Sequence, residues 1–115
     1  MLFRSFLCTG VPTWNNPRLV VNDDQAADLS RSLGKHRAAQ MRGHGSVVAG
    51  ATAEEAFFAC TFLEENAQIQ LQAEIAGGAI ELSEDEARDC AEGTYNPRLF
   101  ALLWTFYERR AQLQT

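Results

Sequence analysis

The sequence lacks the cysteine clusters from which disulfide frameworks and zinc ribbons are built. Its three cysteines, Cys8, Cys60 and Cys90, are odd in number and form no C-x-x-C pair. Such usage is typical of reduced thiols in the cytoplasm and argues against both kinds of framework. Cys60 falls on a predicted helix face beside Leu63, where we expect a small buried side chain.

The sequence also has neither a basic run nor a long apolar run. Ten lysines and arginines stand against 15 aspartates and glutamates, for a formal charge of -5, and the positive residues are scattered. This distribution argues against nucleic acid and membranes as partners. The apolar patch in residues 1–10 is too short to span a membrane, and the polar stretch Trp-Asn-Asn-Pro follows it. We therefore expect no signal peptide and a cytoplasmic protein.

What is present is the composition of a packed domain. Of the 115 residues, 46% are hydrophobic and 22% are charged. With this balance a chain of such length buries enough apolar surface to fold. There is no internal repeat and no low-complexity linker. Residues 1–115 are therefore expected to form a single domain.

Capping residues predict four helices. Asn22, followed by two aspartates, can cap the first helix, and Gly34 can end it. The motifs Thr-Ala-Glu-Glu and Ser-Glu-Asp-Glu are capping boxes, and Asn-Pro is an N-cap with proline at the first helical position. The predicted helices begin at Asn22, Thr52, Ser83 and Pro97 and end near Gly34, Gly77, Glu92 and Gln112. The inner face of the first helix is predicted to consist of Ala26, Ala27, Leu29 and Leu33.

The longest predicted helix is apolar on two sides. Both sides need a cover, because exposing Phe58 and Phe62 would forfeit about 1.5–3 kcal/mol each. We expect the sheet on one side and a neighbouring helix or another subunit on the other. The two stripes are Ala56, Cys60, Leu63, Ala67 and Leu71, and Phe58, Phe62, Ile69, Ala73 and Ala76.

Two short apolar segments flank the sequence Gly43-His44-Gly45. Ala38–Met41 and Ser46–Ala49 fit two strands joined by a tight turn, or one strand bent at the glycines. From the residues alone, His44 is either a ligand-binding side chain or a turn residue hydrogen-bonded to nearby backbone. His36, in a turn before the first segment, is predicted to be exposed and without a role.

The surroundings of His44 resemble a known family. Arg42-Gly43-His44-Gly45 follows one predicted strand and precedes the strand Val-Val-Ala-Gly and the helix start Thr-Ala-Glu-Glu-Ala-Phe. The same order is found in the C-terminal half of class II aldolase/adducin-type domains. Gly10-Val11-Pro12, the helix over residues 22–34 and the region from Leu63 also match, so the resemblance covers about residues 7–76. It implies an α/β fold, part of a three-layer domain with a mixed or antiparallel sheet and packed helices.

The resemblance further implies a divalent metal. In that family zinc or a similar ion is held by a His-x-His motif and by a third histidine, whose position His44 matches. Such an ion keeps an open position for substrate and stabilises an enolate or enediolate. This sequence has no His-x-His, no matching upstream acidic residue and no phosphate-binding loops. We therefore expect the C-terminal portion of a lyase-type domain, which by itself neither holds the ion tightly nor turns over substrate.

Tyr107 is a second candidate site residue. Some aldolases of the family place a C-terminal tyrosine at the neighbouring subunit's site as a proton donor, which the resemblance implies for Tyr107. Its spacing from Leu99, Leu103 and Phe106 instead favours packing on a helix face. The tail from Trp104 to Tyr107 resembles the W-x-x-Y ending of decarboxylase-like members.

Three functions stay open on this reasoning. The first is a metal-dependent lyase, an aldolase or decarboxylase, completed by a complementary N-terminal segment or a homo-oligomer, since the family usually forms tetramers. The second is a non-catalytic, adducin-like module for oligomerisation or partner binding. The third is a stable fragment with no independent role.

Overall fold

Seven elements follow one another in the part of the chain that the computed structural model describes, Leu7 and residues 9–114. The strands are β1 (Thr13–Trp14), β2 (Ala38–Met41) and β3 (Gly45–Val48). The helices are α1 (Asp23–Leu33), α2 (Ala53–Ile75), α3 (Glu84–Thr94) and α4 (Pro97–Gln112). The α/β fold class is therefore confirmed. Cys8 and most of the apolar N-terminal patch lie outside the described residues.

The three strands form one mixed sheet in the order β1-β2-β3. β1 runs parallel to β2, and β2 pairs antiparallel with β3, with Gln40 opposite Ser46. The chain thus has two strands joined tightly rather than one bent strand. Gly43 and Gly45 adopt φ values of 82° and 105° in the connection, a region that glycine enters without steric cost.

The helix starts agree closely with the capping prediction. Asn22 and Thr52 accept hydrogen bonds from backbone N–H groups three residues on, at 2.9 and 3.1 Å. Ser83 and Glu86 form the complete reciprocal capping box. The backbone N–H of Ser83, followed by its hydroxyl, holds the pKa of Glu86 below its usual value. Glu86 therefore has the capping role that the motif predicted.

One capping detail differs from the prediction. The Glu55 carboxylate does not complete a box with Thr52, but accepts a hydrogen bond from the backbone N–H of Ala51 at 2.9 Å and pairs with Arg37. The carboxylate thus pairs with Arg37, a residue distant in sequence, and does not close the local capping box. The start of α2 is consequently tied to the segment that leads into β2.

The hydrophobic core lies between the sheet and the first half of α2. α4 also packs against this half of the helix, with the rings of Phe58 and Phe100 4.8 Å apart and those of Phe57 and Trp104 5.7 Å apart. A neighbouring helix thus helps to cover the stripe that contains Phe58, whereas Cys60, Ala67 and Leu71 of the other stripe are exposed. The core consists of Leu7, Ala38, Phe58, Ala59, Leu63 and Phe100, with Val11, Val48, Phe62 and Leu103 partly buried against it.

Several residues of the predicted stripes on α2 are exposed. Cys60 and Ala67 are exposed, and Leu71 and Ile69 keep 63% and 54% of their surface accessible. A helix of 23 residues is about 34 Å long, whereas strands of four residues reach about 13 Å. The described sheet is too short to cover Ile69 and Leu71. The prediction that Cys60 is buried is wrong for a different reason, because Cys60 lies outside the helix face that carries the buried Ala59 and Leu63.

The predicted inner face of α1 is rotated. Ala26 and Ala27 are exposed, while Leu29 and Leu33 are half-buried as expected. The face turned to the protein also carries polar residues, because Asp28 accepts a hydrogen bond from the buried indole of Trp14 at 2.8 Å. Apolar periodicity alone does not reveal such a polar anchor.

Gly50 allows the β3–α2 connection to lie directly against the start of α2. A Cβ atom at this position would lie 2.6 Å from the backbone nitrogen of Ala56. We expect Gly50→Ala to lower the free energy of unfolding by about 1–3 kcal/mol, because backbone must shift to admit the methyl group. The matched control is Gly93→Ala in α3, where a Cβ would meet nothing within 4 Å. It should raise stability by up to about 1 kcal/mol. Urea denaturation followed by circular dichroism measures both, and equal effects would contradict this account of the loop.

Among the described residues, no helix combines the length and apolar character needed to cross a bilayer.

Candidate functional site

His44 lies in the turn between β2 and β3, with its side chain exposed. Its backbone N–H donates to the carbonyl of Met41 at 2.9 Å. Its ring nitrogen Nε2 lies 2.8 Å from the backbone carbonyl oxygen of Pro17. A carbonyl only accepts, so Nε2 carries the hydrogen in this contact, and in the neutral ring Nδ1 keeps the lone pair. The turn thus holds an accessible imidazole with one defined nitrogen free to accept a proton or bind a ligand.

Pro17 belongs to the loop that follows β1. Because β1 and β2 are parallel, their carboxyl ends meet at the same edge of the sheet, and both this loop and the His44 turn lie there. Ligands of open α/β sheets bind outside the carboxyl ends of the strands. The structure therefore places His44 at the edge where such sheets carry their sites.

A shallow, open groove lies between the loop after β1 and helix α1. Its volume is about 480 Å³, and its lining consists of Thr13, Trp14, Asn15, Asn16, Pro17, Asp28 and Ser32. The hydrogen bond from the Trp14 indole, followed by that from the Arg31 guanidinium, holds the pKa of Asp28 below its usual value. Asp28 is therefore a carboxylate at neutral pH.

The described residues do not complete a metal centre. Within Leu7 and residues 9–114, no three side chains of histidine, cysteine, aspartate or glutamate are grouped so that they could hold an ion. One imidazole does not form a closed or catalytic zinc site, which takes three or four protein ligands. The residues present therefore do not fit a resident divalent ion by themselves. The role of His44 as a ligand stays a prediction.

Tyr107 lies on α4 and is packed against other aromatic rings. Its ring centre is 5.2 Å from that of Phe57 and 5.3 Å from that of Phe106, in edge-to-face geometry. The side chain nevertheless keeps 37% of its surface accessible. This packing agrees with the helix-face interpretation, and a catalytic role for Tyr107 at a neighbouring subunit stays a prediction.

His36 is not the exposed side chain that its turn predicted. It is half-buried, and its Nδ1 atom is enclosed without a hydrogen-bond partner among the described residues. The backbone N–H of Ala49, after β3, donates to the carbonyl of the next residue, Arg37, at 2.8 Å, so the segment after β3 lies beside the start of β2. His36 stands at the start of β2 and His44 just past its end, at opposite edges of the sheet.

Sequence reasoning missed the cluster around Arg37. The guanidinium pairs with the buried carboxylate of Glu55 and lies over the ring of Tyr95, 4.6 Å from its centre. The three residues come from three separate segments of the chain. Their separation leaves no local signal by which a motif search could find them.

Comparison with known proteins agrees with this architecture. The model of the class II aldolase and adducin N-terminal domain matches residues 6–71, so the chain belongs to that family. The chain is 33% identical over 70 residues to a 3,4-dihydroxyphthalate decarboxylase of Terrabacter sp. (strain DBF63). This alignment covers 61% of the present chain and 29% of the relative. The predicted family membership is confirmed, and a lyase is among its relatives.

Proposed function

We propose that the chain forms part of a lyase-type domain that cleaves a carbon–carbon bond by decarboxylation or aldol cleavage. Family membership and a decarboxylase relative support the reaction class. The single observation that carries the proposal is the placement of His44 at the carboxyl edge of β1 and β2, with an accessible imidazole. In this proposal His44 is one ligand of a divalent ion, zinc in the first instance.

The remaining ligands come from outside the described residues, because these supply no second and third ligand. The proposed source is a complementary N-terminal segment or another copy of the chain. Both reactions leave an electron pair on carbon, which must be stabilised as an enolate or enediolate. Without the remaining ligands the chain lacks that stabilisation and is expected to be inactive.

Exposed apolar side chains support a partner. Leu71 and Ile75 on α2 are 63% and 79% accessible, and Leu102 and Phe106 on α4 are 67% and 56% accessible. At about 25 cal/mol per Å², covering a few hundred Å² of such surface is worth several kcal/mol before the cost of association is subtracted. The proposed partners are therefore further copies of the chain or the complementary segment. The net charge of -5 and the scattered positive residues argue against nucleic acid and a membrane as partners.

The alternative is a non-catalytic, adducin-like module that assembles with a partner. The lack of a three-ligand group among the described residues favours it. The two functions predict different results when the complex forms. Only a lyase would then bind a metal ion and turn over substrate.

Complementation tests the proposed function. The chain is assayed alone and after co-expression with the part of the decarboxylase relative that precedes its match with this chain. We expect no release of CO₂ from 3,4-dihydroxyphthalate by the chain alone. In the complex we expect zinc, by metal analysis after dialysis, together with turnover.

The matched variants are His44→Ala and His36→Gln. In the complex, His44→Ala should lower metal affinity or activity by more than roughly 10- to 100-fold, which is the usual loss when a residue that only orients a metal ligand is removed. His36→Gln should retain both metal binding and activity. Turnover that survives His44→Ala would refute the assignment. A stable complex with neither zinc nor turnover would refute the lyase function and favour the assembly module.

A further inference from the structure

Helix α4 carries exposed apolar side chains on a different side from the one that contacts α2. The rings of Phe100, Trp104 and Tyr107 pack against phenylalanines of α2. The exposed side chains recur at intervals of three, four and seven residues, so they share one face of the helix. This α4 patch consists of Leu99, Leu102, Phe106 and, directly after the helix, Leu113.

The charged residues beside the α4 patch are arginines. Arg109 and Arg110 line the same shallow groove as Leu102, Phe106 and Leu113. In the described part of the chain, neither arginine lies within ion-pair distance of a carboxylate. A second α4 patch would bring further arginines and no compensating carboxylate to the contact, and like charges in an interface are unfavourable. A matching surface is therefore apolar along its middle and negatively charged beside it.

The second half of α2 has such a surface. Its exposed apolar side chains are four residues apart and so adjoin on one helix face. One exposed glutamate lies three residues before the first of them and another three residues after the second. The α2 patch consists of Ala67, Leu71 and Ile75 with Glu64 and Glu74. The whole of α2 contains no lysine or arginine, so every charge beside this patch is negative.

We propose that the α4 patch of one copy of the chain packs on the α2 patch of a second copy. Each copy carries both patches, so a two-fold arrangement forms the contact twice. Arg109 and Arg110 of each copy then lie beside the glutamates of the other. This assignment rests on the association proposed above and not on the lyase chemistry.

The sizes of the patches favour the reciprocal arrangement. A helix of 16 residues is about 24 Å long and about 10 Å wide, so one of its faces offers about 250 Å². Two such faces from each of two copies give about 1,000 Å² in total, the lower limit for a specific interface. A single contact gives half of that area. We therefore expect a dimer that dissociates in the micromolar range.

Charge reversal in the metal-free full chain tests the proposal. One variant combines Arg109→Glu with Arg110→Glu, and the other combines Glu64→Lys with Glu74→Lys. Each variant alone puts like charges opposite each other in both contacts and should weaken self-association by at least about tenfold. An equimolar mixture of the two should regain the dimer. In the mixed pair, one contact joins the new glutamates to the new lysines, and the other contact is native. Sedimentation velocity over micromolar concentrations measures all three.

A third variant is the matched control for the added negative charge. Arg18→Glu with Lys35→Glu makes the same charge change at exposed positions outside both helices, and should associate like the native chain. Phe106→Ala, which keeps every charge, should also weaken association. Circular dichroism should show the native helix content for every charge variant, because all the substituted side chains are exposed.

Four results would each overturn the proposal. They are a native chain that stays monomeric at these concentrations, a charge-reversed patch that leaves association unchanged, a mixture that stays monomeric, and a control that dissociates as much as the patch variants. A monomeric native chain would assign both patches to the complementary segment. Because sedimentation needs neither metal nor turnover, failure of the lyase function is detected separately by the complementation assay.

Discussion

Phe58→Ala is expected to lower the free energy of unfolding by about 3–5 kcal/mol, the usual cost of removing a buried phenylalanine. Only 4% of the Phe58 side chain is accessible. Its ring stacks on Phe62 at 4.4 Å and packs against Phe100 at 4.8 Å. The substitution therefore leaves a cavity where α2 meets α4. A domain of this size has about 5–15 kcal/mol of stability in total, so the variant should lose a large part of it. Thermal and urea denaturation measure the loss.

Phe106→Ala is the matched control on α4. Phe106 is 56% accessible, so its removal should change the stability of the isolated chain by less than about 1 kcal/mol. If another copy covers this surface, the same variant should shift the sedimentation coefficient toward that of a monomer of 12.8 kDa. A cost at Phe106 equal to that at Phe58 would contradict the packing described. Substitutions at Phe58 report on folding, and those at Phe106 on association.

Glu55→Ala is expected to lower the free energy of unfolding by about 3 kcal/mol, near the lower end of the cost of breaking a buried ion pair. The Glu55 side chain is 5% accessible, whereas the Arg37 side chain is 33% accessible, so water partly compensates the arginine that remains. The variant also leaves the backbone N–H of Ala51 without the acceptor it has now. Urea denaturation at low and high salt measures the effect, and little salt dependence is expected because buried pairs are weakly screened.

Two variants separate the ion pair from other contributions. Glu54→Ala removes a neighbouring carboxylate in the first turn of α2 and should cost about 0.3–1 kcal/mol through the helix dipole. Glu55→Gln keeps the shape and one acceptor but removes the charge, so its cost should fall between the two alanine variants. Equal costs for Glu54→Ala and Glu55→Ala would show that the pair with Arg37 contributes nothing specific.

The sequence by itself determined the four helices, the strands β2 and β3 and the position of the candidate ligand, but not the strand β1. Helix starts could be predicted because a capping side chain such as Asn22 bonds to backbone only three residues away. The His44 turn could be predicted because flanking glycines and two short apolar segments are local signals as well. The family resemblance depended on the order of these local motifs, and it was confirmed over residues 6–71.

Only the tertiary structure decided which faces are covered and which side chains meet. Cys60 is exposed because it lies outside the face of α2 that carries the buried Phe58, Ala59 and Leu63. His36 is half-buried, although its turn predicted an exposed side chain. The indole of Trp14 in β1 donates a hydrogen bond to the carboxylate of Asp28 in α1. Such contacts join residues far apart in the chain, so they depend on strand register and helix packing, which no local pattern encodes.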